Sequence, residues 1–131
     1  MIQKDFWRNA RIGVIGGGSW GTILAQMAAH NCREVRVWLR DEERVRSINA
    51  TRMNERYFPG LRLHEKVYVY NTLERVIDTG LNALIWALPS DACREQARKI
   101  APLLTGEEIV LHATKGIESG TLKRVSEILA E

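Results

Sequence analysis

The stretch GVIGGGSWGT, Gly13 to Thr22, places three consecutive glycines directly after a short apolar run and follows them with Ser19, Trp20 and Gly21. Ordering a glycine loses more backbone entropy than ordering any other residue, so a run this dense marks a sharp turn or a close approach to the backbone. The flanking residues narrow the choice. RIGVIG, Arg11 to Gly16, reads as a buried strand. SWGTILAQMAAH, Ser19 to His30, reads as a helix: Ile23, Leu24, Met27 and Ala28 recur at helical spacing, and Ser19 is placed to cap the first turn. The glycines therefore make a strand-to-helix turn.

The same alternation runs to the end of the chain. EVRVWLR (Glu34 to Arg40) is a second strand, and DEERVRSIN (Asp41 to Asn49) a second helix with acidic residues in its first turn, where the helix dipole favours them. RMNERYFPG (Arg52 to Gly60) is a loop, KVYVY (Lys66 to Tyr70) a third strand, and TLERVID starts a short helix at Thr72. NALIWALPS (Asn82 to Ser90) is a nearly continuous apolar strand stopped by Pro89, and DACREQARKIAPLL is helical from Asp91 to about Pro102. EEIVLHATKG (Glu107 to Gly116) is a fifth strand running into a loop, and SGTLKRVSEILAE closes the chain as a helix capped near Thr121. Short connections, with no repeat and no low-complexity linker, predict a doubly wound α/β domain: an open parallel sheet in the order 3-2-1-4-5 with helices on both faces.

In that setting Gly16-x-Gly18-x-x-Gly21 has the spacing of a dinucleotide-binding turn. Gly16 makes the turn off the strand, Gly18 lets backbone N–H groups approach a diphosphate, and Gly21 lets the helix pack closely on the strand. The helix N-terminus adds free N–H groups and partial positive charge. No GK[ST] follows, which argues against a mononucleotide P-loop. The bland alternative is a glycine turn with no ligand, which the strand–helix–strand context disfavours. At the end of the second strand, where an NAD site usually offers an acidic residue, this chain has Arg40. Its guanidinium suits a 2′-phosphate, which favours NADP(H), with NAD(H) the alternative. Asp41 leaves that choice open, since it either faces the ribose or starts the next helix.

In the order 3-2-1-4-5 the ligand crevice lies where the order reverses, flanked by the glycine turn and ALPS, Ala87 to Ser90. The end of the fifth strand lies on the same edge, so topology alone puts Lys115 on the reactive side, with a solvated loop lysine as the alternative. Trp20, beside the diphosphate position, either walls a cofactor or packs on the neighbouring loop.

Composition excludes several classes. The chain has 131 residues, the size of one domain, and 19 Lys plus Arg against 16 Asp plus Glu give a net charge of +3. That balance is too mixed for a nucleic-acid partner and mildly favours an anionic ligand. No apolar stretch approaches the ~20 residues that span a bilayer, and MIQKDFWRNA has no apolar signal core. Cys32 and Cys93 match no metal or redox spacing and are expected to be reduced thiols of a cytoplasmic protein. His30, His64 and His112 suggest no metal site; His112 is expected to be a hydrogen-bonded strand residue, and Trp38 and Trp86 to be core.

GGGSWGT, VWLRD, RMNERYFPG, ALPS and ATKGIE occur in the order and spacing of the N-terminal domain of NAD(P)-dependent glycerol-3-phosphate dehydrogenase, which the chain resembles from Arg11 to Glu131. The resemblance implies a Rossmann-type fold and hydride transfer between NAD(P)H and dihydroxyacetone phosphate, giving sn-glycerol 3-phosphate. It implies that Gly16, Gly18, Ser19, Trp20 and Gly21 border the cofactor, that Arg40 and Tyr57 lie at its adenosine end, and that Lys115 is the catalytic lysine near the nicotinamide and the phosphorylated substrate. Many members carry an aromatic residue just beyond PS, whereas this chain has Asp91-Ala92-Cys93. The expectation is a dinucleotide-binding domain over residues 1–131, truncated, inactive alone and lacking the helical catalytic domain. The alternatives are a ketopantoate-reductase-like dehydrogenase and a stand-alone NADP(H)-binding module without catalysis; a homo-oligomer stays open.

Overall fold

The computed structural model describes residues 4–131, so the reading of MIQKDFWRNA as free of a signal core falls partly outside it. At the centre of the sheet is β1 (Arg11–Ile15), paired in parallel with β2 (Glu34–Trp38) on one side and β4 (Ala83–Trp86) on the other. β3 (Val67–Tyr70) and β5 (Ile109–His112) complete five parallel strands in the expected order β3-β2-β1-β4-β5. Successive side chains of a strand point to opposite faces, and the core divides accordingly. Ile12, Val14, Val35, Val37 and Ala83 join one cluster, while Ile15, Trp38, Leu84 and Trp86 join the other. Because both of their faces are covered, the central strands β1 and β4 read as nearly unbroken apolar runs.

Helices α2 (Ser19–Ala29) and α3 (Glu42–Thr51) cover the first face, and α4 (Leu73–Val76), α5 (Cys93–Ile100) and α6 (Val125–Ala130) the second. Short 3-10 turns at Ser90–Ala92 and Ala101–Leu103 bracket α5, the latter holding Pro102, where the helix was expected to end. A further helix, α1 (Lys4–Asn9), precedes β1. It buries no residue, so it carries no apolar period from which a sequence reading could find it.

Four local expectations are corrected. The buried face of α2 is Gly21, Thr22, Ala25 and Ala29, not the Ile23–Leu24–Met27–Ala28 set, and Met27 is 63% exposed. The helix lies so close to the strands that only small side chains fit beneath it, which displaces the larger apolar ones sideways. Ser19 is the first helical residue rather than the cap; Gly18 holds that position, with no side-chain cap. The last helix starts at Val125, not near Thr121, because residues 117–124 close into a tight loop: Ile117 bridges Arg124, Leu122 adopts φ 60°, and the Thr121 hydroxyl donates to Glu118. His112 does lie in a strand, β5, but its side chain is exposed at the sheet edge and takes part in no hydrogen bond among the described residues, so it is not the hydrogen-bonded structural residue expected. Trp38 and Trp86 are buried as expected.

Candidate functional site

A cleft of about 520 Å³ opens above the C-terminal ends of β1 and β4, where the strand order reverses. Its base is the glycine turn. Gly16 leaves β1 with φ 115°, and a Cβ there would come within 2.5 Å of the Ala87 carbonyl oxygen. At Gly21 a Cβ would sit 1.7 Å from the Gly16 carbonyl oxygen, so the first turn of α2 rests directly on the backbone of the loop. At Gly18, by contrast, a Cβ would meet nothing within 4 Å, and this residue lines the open cleft.

A buried polar knot sets the direction of the loop peptides. The Gly17 carbonyl accepts from Asn54 Nδ2 and from Arg44 Nη2, each at 3.1 Å, and the Gly18 carbonyl accepts from the Thr22 hydroxyl at 2.7 Å. Asn54 Nδ2 also donates to the Thr22 hydroxyl at 2.9 Å. In a trans peptide the carbonyl and the following N–H point in opposite directions. Holding both carbonyls against the protein therefore turns the N–H groups of Gly18 and Ser19 away from the knot, at a helix end whose first N–H groups have no intrahelical partner. Asn54 and Thr22 are buried, at 3% and 5% exposure, as a fully satisfied network requires. Sequence reasoning missed both: their roles depend on contacts 32 and 37 residues away in the chain, which no local spacing encodes.

The residues expected from sequence converge on this cleft. Gly16, Gly18, Ser19, Trp20, Arg40, Tyr57 and Lys115 all line it; Gly21 lies beneath, against the turn. Trp20 is 61% exposed at the rim and so is not packed away on the neighbouring loop. Arg40 ends the β2 side, exposed, while Asp41 caps α3 by accepting the Arg44 N–H at 3.1 Å, so Asp41 starts the helix. The Tyr57 ring is flanked by the guanidinium groups of Arg44 and Arg56, at 5.3 and 5.7 Å from its centroid.

Lys115 stands at the opposite end, on a segment anchored from three directions. The Ala113 N–H donates to the Trp86 carbonyl, the Thr114 hydroxyl donates to the Leu88 carbonyl at 2.7 Å, and Gly116 turns with φ 98°. Beyond it, Arg94 grips Glu118 with two hydrogen bonds of 2.8 and 3.0 Å. The Arg94 guanidinium, helped by the Thr121 hydroxyl, holds the Glu118 carboxyl below the usual carboxylate range. Among the described residues no group of three or more His, Cys, Asp or Glu side chains could hold a metal ion, and no helix is long and apolar enough to cross a membrane.

A parallel sheet in this order, with a close-packed glycine turn at its switch point, defines a doubly wound α/β domain of the Rossmann class. The family model described as the N-terminus of NAD-dependent glycerol-3-phosphate dehydrogenase matches residues 11–131, and the chain belongs to that family. It is 40% identical over 124 residues to the glycerol-3-phosphate dehydrogenase [NAD(P)+] of Streptococcus thermophilus, covering 95% of this chain and 36% of that protein. With the enzyme of that name from Geobacillus thermodenitrificans it shares 43% identity, covering 92% of this chain and 35% of the relative. The crystal structure of glycerol-3-phosphate dehydrogenase from Coxiella burnetii superposes with a TM-score of 0.85 at 29% identity, covering 93% of this chain and 37% of that one. The chain thus spans about a third of the length of the relatives it matches.

Proposed function

We propose that this chain is the cofactor-binding part of an NAD(P)-dependent oxidoreductase that interconverts dihydroxyacetone phosphate and sn-glycerol 3-phosphate. The observation that carries this reading is convergence: the glycine turn, Arg40 and Lys115 come from three separate connections and line one cleft at the switch point of the sheet. Membership of the family and the names of its relatives support the choice of reaction. The bare turn at Gly18 fits a diphosphate, because it leaves backbone N–H groups approachable at a helix N-terminus.

Each residue then has a task. The N–H groups of the turn, bordered by Ser19 and Trp20, hold the diphosphate. Arg40 binds a 2′-phosphate bidentately and stacks on the adenine, which favours NADP(H) over NAD(H). Tyr57, flanked by Arg44 and Arg56, borders the adenosine half. Lys115 acts at the far end, placing its ammonium on the carbonyl oxygen or phosphate of the substrate. The bound nicotinamide supplies the hydride chemistry. Two buried free thiols, Cys32 and Cys93, suit a reducing cytoplasm.

Titration of the chain with NADPH and NADH, followed by tryptophan fluorescence, tests the reading. Saturable binding with NADPH the tighter is expected, and Arg40→Asp weakens NADPH by about tenfold or more while NADH loses less. Equal losses would leave Arg40 a structural part only, and wild-type chain that binds neither dinucleotide would refute the site. In a protein of the relatives' full length, Lys115→Ala should lower turnover by more than about tenfold with NADPH affinity retained; unchanged turnover removes Lys115 from the chemistry.

A further inference from the structure

Arg44 is placed against the ordinary preference of its position. It lies in the first turn of α3, where the helix dipole disfavours a cation, and it is half-buried. Two other partly buried arginines, Arg36 and Arg94, are each held between two carboxylates. Arg44 forms no ion pair among the described residues. Asp41, one turn earlier, accepts the Arg44 backbone N–H and not its guanidinium. Nη2 donates instead to the Gly17 carbonyl at 3.1 Å and to Asn54 Oδ1 at 3.3 Å, and the guanidinium carbon lies 5.3 Å from the centroid of the Tyr57 ring. All three partners are neutral, so the positive charge is fixed in place without being cancelled.

The peptide that Arg44 grips decides where the charge is felt. The Gly17 carbonyl and the Gly18 N–H belong to one planar unit and point in opposite directions. A charged donor on the oxygen polarises the whole unit, and the N–H becomes a stronger donor in turn, as along any chain of hydrogen bonds in a medium less polar than water. That N–H is turned away from the knot, at a residue where even an added Cβ would meet nothing within 4 Å. Gly17 and Gly18 line the cleft, whereas Arg44 is not part of its wall. We infer that Arg44 is a positioning residue for the anionic centre of the ligand, its uncancelled charge acting through the Gly17–Gly18 peptide on the diphosphate. This rests on the dinucleotide reading above. The charge comes from behind the turn, so the glycines stay bare and the cleft stays open while the anion still meets more than neutral backbone.

Calorimetry on the chain tests this with NADPH and with adenosine 2′-monophosphate, which keeps the adenine and the 2′-phosphate but has no diphosphate. Arg44→Gln retains an N–H donor and removes the charge. It should bind NADPH about five- to tenfold more weakly, and adenosine 2′-monophosphate within about twofold of wild type. Arg44→Lys retains the charge and loses the planar fork, and should stay within about threefold of wild type for NADPH. In the NMR spectrum of the unliganded chain, the Gly18 amide proton should move upfield in Arg44→Gln, as a less polarised donor does, and hold its place in Arg44→Lys. Arg44→Lys decides by itself between fork and charge: a loss there of about tenfold overturns the assignment. Equal weakening by the two variants, an Arg44→Gln chain that binds NADPH like wild type, or one that loses both ligands alike overturns it as well. In each of these cases wild type that binds NADPH keeps the dinucleotide reading, whereas wild type that binds neither ligand removes that reading and this inference together.

Discussion

Gly21→Ala should produce a chain that melts about 10 °C or more below the wild type and no longer binds dinucleotide. A single methyl group causes this because its carbon would lie 1.7 Å from the carbonyl oxygen of Gly16 and 2.8 Å from the carbonyl carbon, with a third contact to Ala87 at 3.6 Å. The obstructing atoms are backbone, so no rotamer change relieves the clash. The first turn of α2 must lift off the end of β1 instead. Overpacking of ordinary core sites costs about 1–3 kcal/mol, and a clash with backbone at this distance exceeds that range. Against a total stability of about 5–15 kcal/mol the loss is large, and for a chain of this size each kcal/mol moves Tm by about 3–5 °C. Gly18→Ala is the control. Its φ is −77°, and its Cβ meets nothing within 4 Å. That variant should melt within about 2 °C of wild type yet bind NADPH about tenfold more weakly, because the methyl stands where the diphosphate is proposed to lie. Similar melting temperatures for the two alanine variants would mean that the helix does not rest on the loop as described.

Trp86→Ala should cost about 3–5 kcal/mol, seen as a lower denaturant midpoint with an unchanged slope. Trp86 is 1% exposed and is the largest of the fully buried side chains. It sits in the cluster with Ile15, Leu84, Cys93 and Ile100, and its indole N–H donates to the Cys93 thiol sulfur at 3.0 Å. Removing the ring leaves a cavity between β4 and α5. The backbone of Trp86 also pairs with Ile15 and His112 and accepts the Ala113 N–H, so the cavity lies under the strand that anchors the Lys115 segment. Trp86→Phe keeps most of the volume and loses only the sulfur hydrogen bond, and should cost about 1 kcal/mol. A comparable loss for both variants would place the energetic weight on the hydrogen bond rather than on the packing.

How much of this was legible in the sequence follows from the range of the interactions concerned. The central strands were readable because both of their faces are covered, which leaves apolar runs such as RIGVI and ALIW bounded by turn residues, while the edge run VYVY was readable from its β-branched and aromatic residues. Their order, and with it the meeting of Arg40 and Lys115 at one cleft, followed from the alternation of strands and helices together with the position of the glycine turn. The buried face of α2 was misread because periodicity weighs large apolar residues, while close packing on the strand selects small ones: Gly21, Thr22, Ala25 and Ala29. The start of α6 was misplaced because Thr121 resembles a helix cap in sequence, yet its hydroxyl is bound to Glu118 across a loop closed by the Ile117–Arg124 bridge. Asn54 is a polar residue in a polar segment, and only the folded chain distinguishes a buried amide from a solvated one.

The Asn54 knot has a kinetic consequence. Its bonds join the loop after α3 to the glycine turn, so that loop and the base of the cleft open and close as one cooperative unit rather than independently. The amide of Thr22 should accordingly exchange with solvent at the rate of that larger unit, far more slowly than a glycine-rich turn on its own would allow. An incoming anion then meets N–H groups already facing it. Association is spared the ordering of a loop, and differences in affinity between ligands are expressed mainly as differences in how long each one stays.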